Sequence, residues 1–386
     1  MKVASVVAIP LEARFADVFG GADKVPAHIS SPASHFRRIP RTGQVTTLVM
    51  VTADDGAVGY GECFGLPHPQ LASTLVSHVI ADFLKGAVID DPAEMTADLY
   101  RYFIALGGTH GAPIEALSGV DIALWDLKAR AADLPLATLL GGEPGPVETY
   151  VSPVGLHATP SETVAAARAY GERGFHALKL KIGRGPKVDA EHLKAVRDAM
   201  GDGFPIYLDA NCAYDEHSAL EVAEALAPYA PGWLEEPIPP GDVLAYARLR
   251  ERSAVPLGAG ENEFTLDAFR RLTEAGAVDF LQPNISRAGG VSGLLAIGDL
   301  CEKAGIVLAP HGVGGSIAVA AAVHTCRAAP AFGLYEANML LNPLRDELSL
   351  KAPVIANGNL VAQDLPGHGA VPDPAMVDRF RWTARS

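Results

Sequence analysis

The stretch from Lys179 to Glu261 holds three short apolar runs, PIYLDAN (205–211), GWLEEP (232–237) and PLGAGEN (256–262), each carrying an acid at or near its end. Those acids, Asp209, Glu235 and Glu261, follow one another at intervals of 26 residues. One strand and one helix fit that interval, so three carboxylates are predicted to reach the same rim of a (β/α) barrel. Carboxylates gathered within a few ångströms raise one another's pKa or demand a cation, and oxygen donors favour a hard ion such as Mg²⁺.

The same reading extends in both directions. From Glu148 onward strand-like and helix-like segments alternate, which predicts parallel βαβ units. Strands are expected at 148–154, 176–182, 205–211, 232–237, 256–261, 278–284, 305–311 and 332–338, the number that closes a barrel. Before them, KVASVVAIPL and TTLVMVTADDGAVGYGE read as antiparallel strands, with Asp55-Gly56 as the hairpin turn. Residues 14–45 read as a long polar loop, and 69–131 as helices. The Pro and Gly of LGGEPGPVE (140–148) mark a boundary. The expectation is an α/β protein: an α+β capping domain over 1–147, a (β/α) barrel over 148–349, and a tail over 350–386 that packs back on the cap.

Composition narrows the function. The chain has 386 residues, 49% hydrophobic and 20% charged, which is ordinary for a globular protein. No run reaches the roughly 18 apolar residues of a spanning helix and the first residues lack a secretory core, so no membrane partner and a cytoplasmic location are expected. A net charge of −14 argues against a nucleic-acid partner. Four scattered cysteines show no CxxC pair, which points to neither a zinc site nor a disulfide framework.

Active sites in such barrels assemble at the carboxyl ends of the strands. Strand two supplies Lys179 and Lys181 on one face, strand six Asn284, strand seven His311 and strand eight Glu336. Two neighbouring ammonium groups are expected to depress each other's pKa, so that a lysine can serve as a base. A cation that grips a carboxylate substrate, flanked by two bases, is what removal of a proton α to that carboxylate requires.

These residues, together with GYGE (59–62), SGVDIALWDLKAR (118–130), PLATLLGG (135–142), the double glycine 289–290 and PHG (310–312), resemble the enolase superfamily in its mandelate racemase and acid-sugar dehydratase branch. The resemblance spans nearly the whole chain. It implies that Asp209, Glu235 and Glu261 hold Mg²⁺, with Glu235 rather than Glu236 as the second ligand. It further implies Lys181 as the base on one face with Lys179 as its electrostatic partner, His311 on the other face, Asn211 on the substrate or metal shell, and Glu336 on the enolate oxygen. Members are commonly homo-oligomers, and their first domain caps the barrel.

One position departs from the pattern. Where the mandelate racemase branch has an Asp beside the His, and the muconate cycloisomerase branch a Lys, this chain has Asn284. Loss of the negative partner should make His311 less basic, which favours dehydration over symmetric two-base racemisation. The leading expectation is a Mg²⁺-dependent lyase acting on a small carboxylate substrate, a sugar acid or diacid: Lys181 removes the α-proton and protonated His311 assists departure of a β-hydroxyl, giving a 2-keto acid. The long loop offers His35, Arg37, Arg38 and Arg41 as substrate contacts, because guanidinium binds carboxylate bidentately. Racemisation or epimerisation on the same scaffold is the alternative. Two further readings stay open: a Schiff-base aldolase with HGVGGS (311–316) as a phosphate cradle, and a non-catalytic sugar-acid binder.

Overall fold

The computed structural model describes residues 1–31, 36 and 38–383. Its first part is a three-stranded antiparallel sheet of β1 (Val3–Arg14), β2 (Gly43–Ala53) and β3 (Val58–Cys63), with β2 and β3 joined by the turn at Asp55-Gly56. Helix α1 (Pro92–Ala105) packs on helix α2 (Ala112–Ala131), which in turn packs on this sheet. The stretch expected to be one long loop is less irregular than that. Strand β1 runs on to Arg14, short helices form at Phe15–Phe19 and Ala27–Ser30, and β2 begins at Gly43.

The eight expected barrel strands are all present: β4 (Thr149–Val154), β5 (Leu178–Lys181), β6 (Ile206–Asp209), β7 (Leu234–Glu235), β8 (Leu257–Ala259), β9 (Phe280–Leu281), β10 (Val307–Leu308) and β11 (Tyr335–Asn338). They form one parallel sheet in chain order, with β11 beside β4. Closure comes from the approach to β11, where Leu308 bridges Phe332 and Gly333 N–H donates to the Leu308 carbonyl at 3.0 Å. Between consecutive strands lie α3 (Pro160–Glu172), α4 (Pro186–Met200), α5 (Glu216–Leu226), α6 (Val243–Arg252), α7 (Leu266–Glu274), α8 (Gly290–Ala304) and α9 (Ser316–Cys326). Their starts are written in the sequence. Thr159 and Asp215 close capping boxes, and Asp242 and Thr265 accept from the first turn of α6 and α7.

Inside the barrel, alternate strand residues share a face, and at one end they are aromatic. Tyr207 stacks on Trp233 at 3.8 Å, with Tyr150 edge-on to Trp233 at 5.1 Å. This floor seals the barrel beneath the charged rim, with Tyr150 and Trp233 fully buried and Tyr207 and Phe280 partly so.

The first sheet and its helices lock onto the barrel through buried carboxylates at helix starts. Glu62 of β3 accepts Gly315 N–H at 2.5 Å and Ala318 N–H at 3.0 Å at the start of α9. Asp121 of α2 accepts Ser292 N–H at 3.0 Å at the start of α8, and Ser118 Oγ accepts Gly289 N–H at 2.9 Å. Each carboxylate meets the orphan donors and the positive end of a helix dipole. The double glycine follows from this contact: a Cβ on Gly290 would sit 2.3 Å from Asp121 Oδ1, on a backbone with φ of 72°. The tail divides its contacts. Hairpin β12 (Val354–Ala356) and β13 (Asn359–Val361) lies against β4 through Val147 and Leu360, whereas α10 (Pro374–Phe380) packs on β1 and Trp382 N–H donates to Pro10 O at 2.9 Å.

Burial pushes Asp121 up to about 7 from its ordinary 3.8, against the opposing hydrogen bonds from Ser292 and Thr96. Between those values the folded chain holds a proton at Asp121 that the unfolded chain has released, so stability from this group falls as pH rises through that window and is flat above it. The fall is about 1.4 kcal/mol for each pH unit within the window. Asp121→Asn keeps an acceptor for Ser292 N–H and removes the titration. Thermal unfolding of both proteins at pH 5 and pH 7 is expected to show a larger loss between the two pH values in the wild type; equal losses would contradict it.

Candidate active site at the carboxyl ends of the strands

Strand register assembles the charges. Lys181 of β5 is paired with Asp209 of β6, and Asp209 with Glu235 of β7. Glu261 follows β8 by two residues, and the ligand oxygens of Asp209, Glu235 and Glu261 all lie within 4.8 Å of one another. The donors are all oxygen, on two buried carboxylates and the half-buried Glu261, at the ends of adjacent strands, which fits a hard divalent cation. Glu236 points elsewhere, with a φ of 36°, and accepts from Asn262 Nδ2 at 2.7 Å.

Glu235 is fixed from three sides. Lys179 Nζ donates to its Oε1 at 2.8 Å, Gln282 Nε2 to its Oε2 at 2.6 Å, and Trp233 Nε1 approaches that same oxygen at 3.3 Å. Burial, together with Asp209, Glu261 and Glu336, pushes Glu235 up to about 8 in spite of Lys179. Asp209 Oδ1 accepts Asn211 N–H at 2.8 Å, closing a tight turn in which Asn211 takes a left-handed φ of 44° that Asn tolerates.

The two lysines differ from the expectation built on their mutual repulsion. Lys179 is fully buried, and its Nζ lies 2.8 Å from Glu235, 3.3 Å from Glu336 and 3.5 Å from Asp209. Burial pulls its pKa down, but these carboxylates outweigh burial and hold it well above the usual lysine value. Lys181 donates to Asp209 Oδ2 and, at 2.8 Å, to Asn211 Oδ1. Burial and Lys179 lower its pKa, and Asp209 with Glu261 and Glu235 raises it further, so it too ends above its usual value. Four carboxylates against two ammonium groups decide the sign.

His311, at the end of β10, approaches the acids from the far side of the barrel: its Nε2 lies 3.1 Å from Glu261 Oε2 and 3.6 Å from Glu336 Oε2. Glu336 Oε2 also accepts Gly312 N–H at 2.9 Å. Asn284 sits behind the imidazole. Its Nδ2 donates to the carbonyls of Val313 at 2.7 Å and His311 at 3.3 Å, which fixes that atom as the amide nitrogen, and it lies 3.1 Å from His311 Nδ1. A donor facing Nδ1 selects the tautomer with its hydrogen on Nε2. Burial lowers His311 to about 4, despite the pull of Glu336. A resting imidazolium is therefore replaced by a neutral ring that presents Nε2–H to the site.

The loop candidates separate. His35 and Arg37 lie outside the described residues, and Arg38 is exposed. Arg41 is held over Phe36 at 5.4 Å and Phe15 at 6.0 Å, and hydrogen-bonds Gln44, which in turn donates to Leu341 O at 2.6 Å just beyond β11. Burial alone lowers its pKa to about 10, with no carboxylate among the causes. The phosphate-cradle reading of HGVGGS is overturned, because the Glu62 carboxylate occupies the backbone donors that a phosphate would need.

Gln282, Trp233, Asn262 and Arg287 escaped the sequence reading. For the first two a signal existed: Trp233 and Gln282 stand two residues before Glu235 and Asn284, and period two places each pair on one face. Asn262 and Arg287 lie on turns, where no periodicity points.

Known proteins agree with this architecture. Residues 162–376 match the family described as enolase C-terminal domain-like, and residues 25–141 match the mandelate racemase / muconate lactonizing enzyme N-terminal domain. The 3,6-anhydro-alpha-L-galactonate cycloisomerase of Streptomyces coelicolor is 32% identical over 339 residues, covering 86% of this chain and 90% of that protein. The L-talarate/galactarate dehydratase of Salmonella typhimurium is 33% identical over 319 residues, 81% of this chain and 77% of its own. The crystal structure of a Streptomyces coelicolor racemase with bound magnesium superposes with a TM-score of 0.86 at 27% identity, covering 98% of this chain and 99% of that one. Matched in both its parts, and related throughout to sugar-acid enzymes, the chain belongs to the enolase superfamily, in its mandelate racemase branch.

Proposed function

We propose that the protein is a Mg²⁺-dependent dehydratase of a sugar acid, with Asp209, Glu235 and Glu261 as the metal ligands. The observation that supports this most is the placement of Lys181 and His311 against the same acid cluster from opposite sides of the barrel. A bound dication would supply the positive charge that makes an enolate beside a carboxylate tolerable. Lys181 Nζ, held toward that point by Asp209 and Asn211, takes the α-proton of the substrate once neutral. Lys179 stays charged at the base of the cluster and offsets its negative charge. Glu336 shares Lys179 and His311 between its two oxygens and sets the distance across the site.

His311 presents Nε2–H on the opposite face, where it donates a hydrogen bond to the departing β-hydroxyl. The C–O bond electrons leave with the hydroxyl, which takes a proton from solvent, while Lys181 returns the α-proton to solvent; the net loss is one water, and the enol tautomerises to the 2-keto acid. A ring with its lone pair turned toward Asn284 has none to offer an α-proton, and this supports elimination over two-base racemisation. Arg41, held against Phe36 and Phe15, is the cation proposed for the far end of a diacid.

Three experiments bear on this reading. On the best substrate from a panel of mono- and diacid sugars, chelation by EDTA is expected to abolish 2-keto acid formation and Mg²⁺ to restore it; turnover indifferent to EDTA would end the metal assignment. Lys181→Ala is expected to lower kcat by roughly 10²–10⁴-fold with the fold retained by circular dichroism, and normal turnover would remove Lys181 as the base. Asn284→Asp places a carboxylate behind His311 and raises its basicity. Solvent deuterium should then enter the α-carbon of recovered substrate faster in the variant than in the wild type, and an unchanged exchange rate would contradict the role given to Asn284.

A further inference from the structure

We infer that Arg287 is a positioning residue that ties the backbone of Glu261 to the first part of the chain through Phe64 and Glu115. This inference rests on the metal reading above and goes beyond it. Arg287 lies on the turn after β9, its N–H donating to Asn284 O at 2.9 Å. Its Nη1 donates to the carbonyl of Glu261 at 3.0 Å and approaches Asn262 Oδ1 at 3.2 Å, while Asn262 Nδ2 holds Glu236. The guanidinium is sandwiched between two rings, with Phe64 at 4.4 Å and Phe264 at 4.6 Å. Its Nε forms an ion pair with buried Glu115 of α2 at 3.3 Å.

One planar cation thus touches three separate parts of the chain. Phe64 follows β3 by one residue, Glu115 belongs to a helix of the first part, and Glu261 is on the turn after β8. Stacking uses the two faces of the guanidinium and hydrogen bonding uses its edge, so neither contact competes with the other. A lysine offers no face and a single donor centre, and cannot hold the rings and the Glu261 carbonyl together. Phe64 and Phe264 hold the plane of the guanidinium, and that plane sets the direction of the donor that fixes the backbone of the third acid. Groups that orient a ligand from behind typically change metal affinity by about 10–100-fold when lost.

The test is Mg²⁺ binding to the full chain by isothermal titration calorimetry, without substrate, for wild type, Arg287→Lys, Arg287→Gln and Phe64→Leu. Both Arg287 variants are expected to raise the Kd for Mg²⁺ by about tenfold or more, with Phe64→Leu shifted in the same direction by less. At saturating Mg²⁺, kcat should return to within about threefold of wild type while the substrate KM stays raised, a split that a merely structural role would not produce. A wild-type chain that binds Mg²⁺ and Arg287 variants that bind it equally well would overturn the inference. A wild-type chain that fails to bind Mg²⁺ would instead overturn the metal reading on which it rests. If the Arg287 variants do not fold, Phe64→Leu decides: a Kd unchanged from wild type overturns the inference.

Discussion

The interior of the barrel mouth is organised by a charge balance. Asp209, Glu235, Glu261 and Glu336 converge within reach of Lys179 and Lys181, nearly all of it out of water. Charges at that depth persist only when paired and hydrogen-bonded, since isolated ones would shift their pKa and neutralise. Asp209, Glu235 and Glu336 each have a lysine partner, whereas Glu261 meets the His311 ring. Lys179, resting 5.6 Å above the Tyr150 ring on the aromatic floor, binds three of the acids at once. The remaining excess of negative charge is what a divalent cation would answer, so the groups that hold the site together without an ion are those that would favour one.

The same physics joins the two parts of the chain. Glu62 and Asp121 leave the first part as buried carboxylates and end on the first turns of α9 and α8. Asp126 extends the pattern to the tail, accepting Tyr60 N–H at 2.9 Å and His368 N–H at 2.8 Å. The motif SGVDIALWDLKAR is therefore a docking helix: Ser118, Asp121 and Asp126 reach across to backbone donors, while the apolar residues between them fill the core. Removing one of these acids would strand buried N–H groups, a cost of about 1–3 kcal/mol each.

Much of this was legible in the residues. The 26-residue interval between the acids corresponds to one strand-helix unit of the barrel, and each of the eight expected strands is present, shorter than read because only the paired core counts as strand. Two things were hidden for physical reasons. The pKa direction of Lys179 and Lys181 depends on how many carboxylates surround each ammonium group, a fact of three dimensions that strand alternation cannot supply. The glycine-rich turn after His311 reads as an anion cradle from its own residues, and only the distant Glu62 shows that the cradle is already filled. Arg287 was invisible for a related reason: its partners come from residues 64, 115, 261, 262 and 264, scattered over the chain.

Asn284 illustrates how one neutral side chain can set the hydrogen-bonding state of a catalytic ring. An aspartate behind His311 would accept a hydrogen from Nδ1 and stabilise the imidazolium; Asn284 Nδ2, turned toward the carbonyls of Val313 and His311, is an amide nitrogen and cannot accept one. The ring keeps its place, because the same amide also receives Ser286 N–H at 2.9 Å and stays anchored to the turn. What changes is which side of the imidazole carries hydrogen. A ring that faces the substrate with N–H helps a group leave, whereas a ring that faces it with a lone pair removes a proton. The relatives of this chain include cycloisomerases and dehydratases, and the orientation of that one hydrogen is the feature on which the proposal of elimination rests.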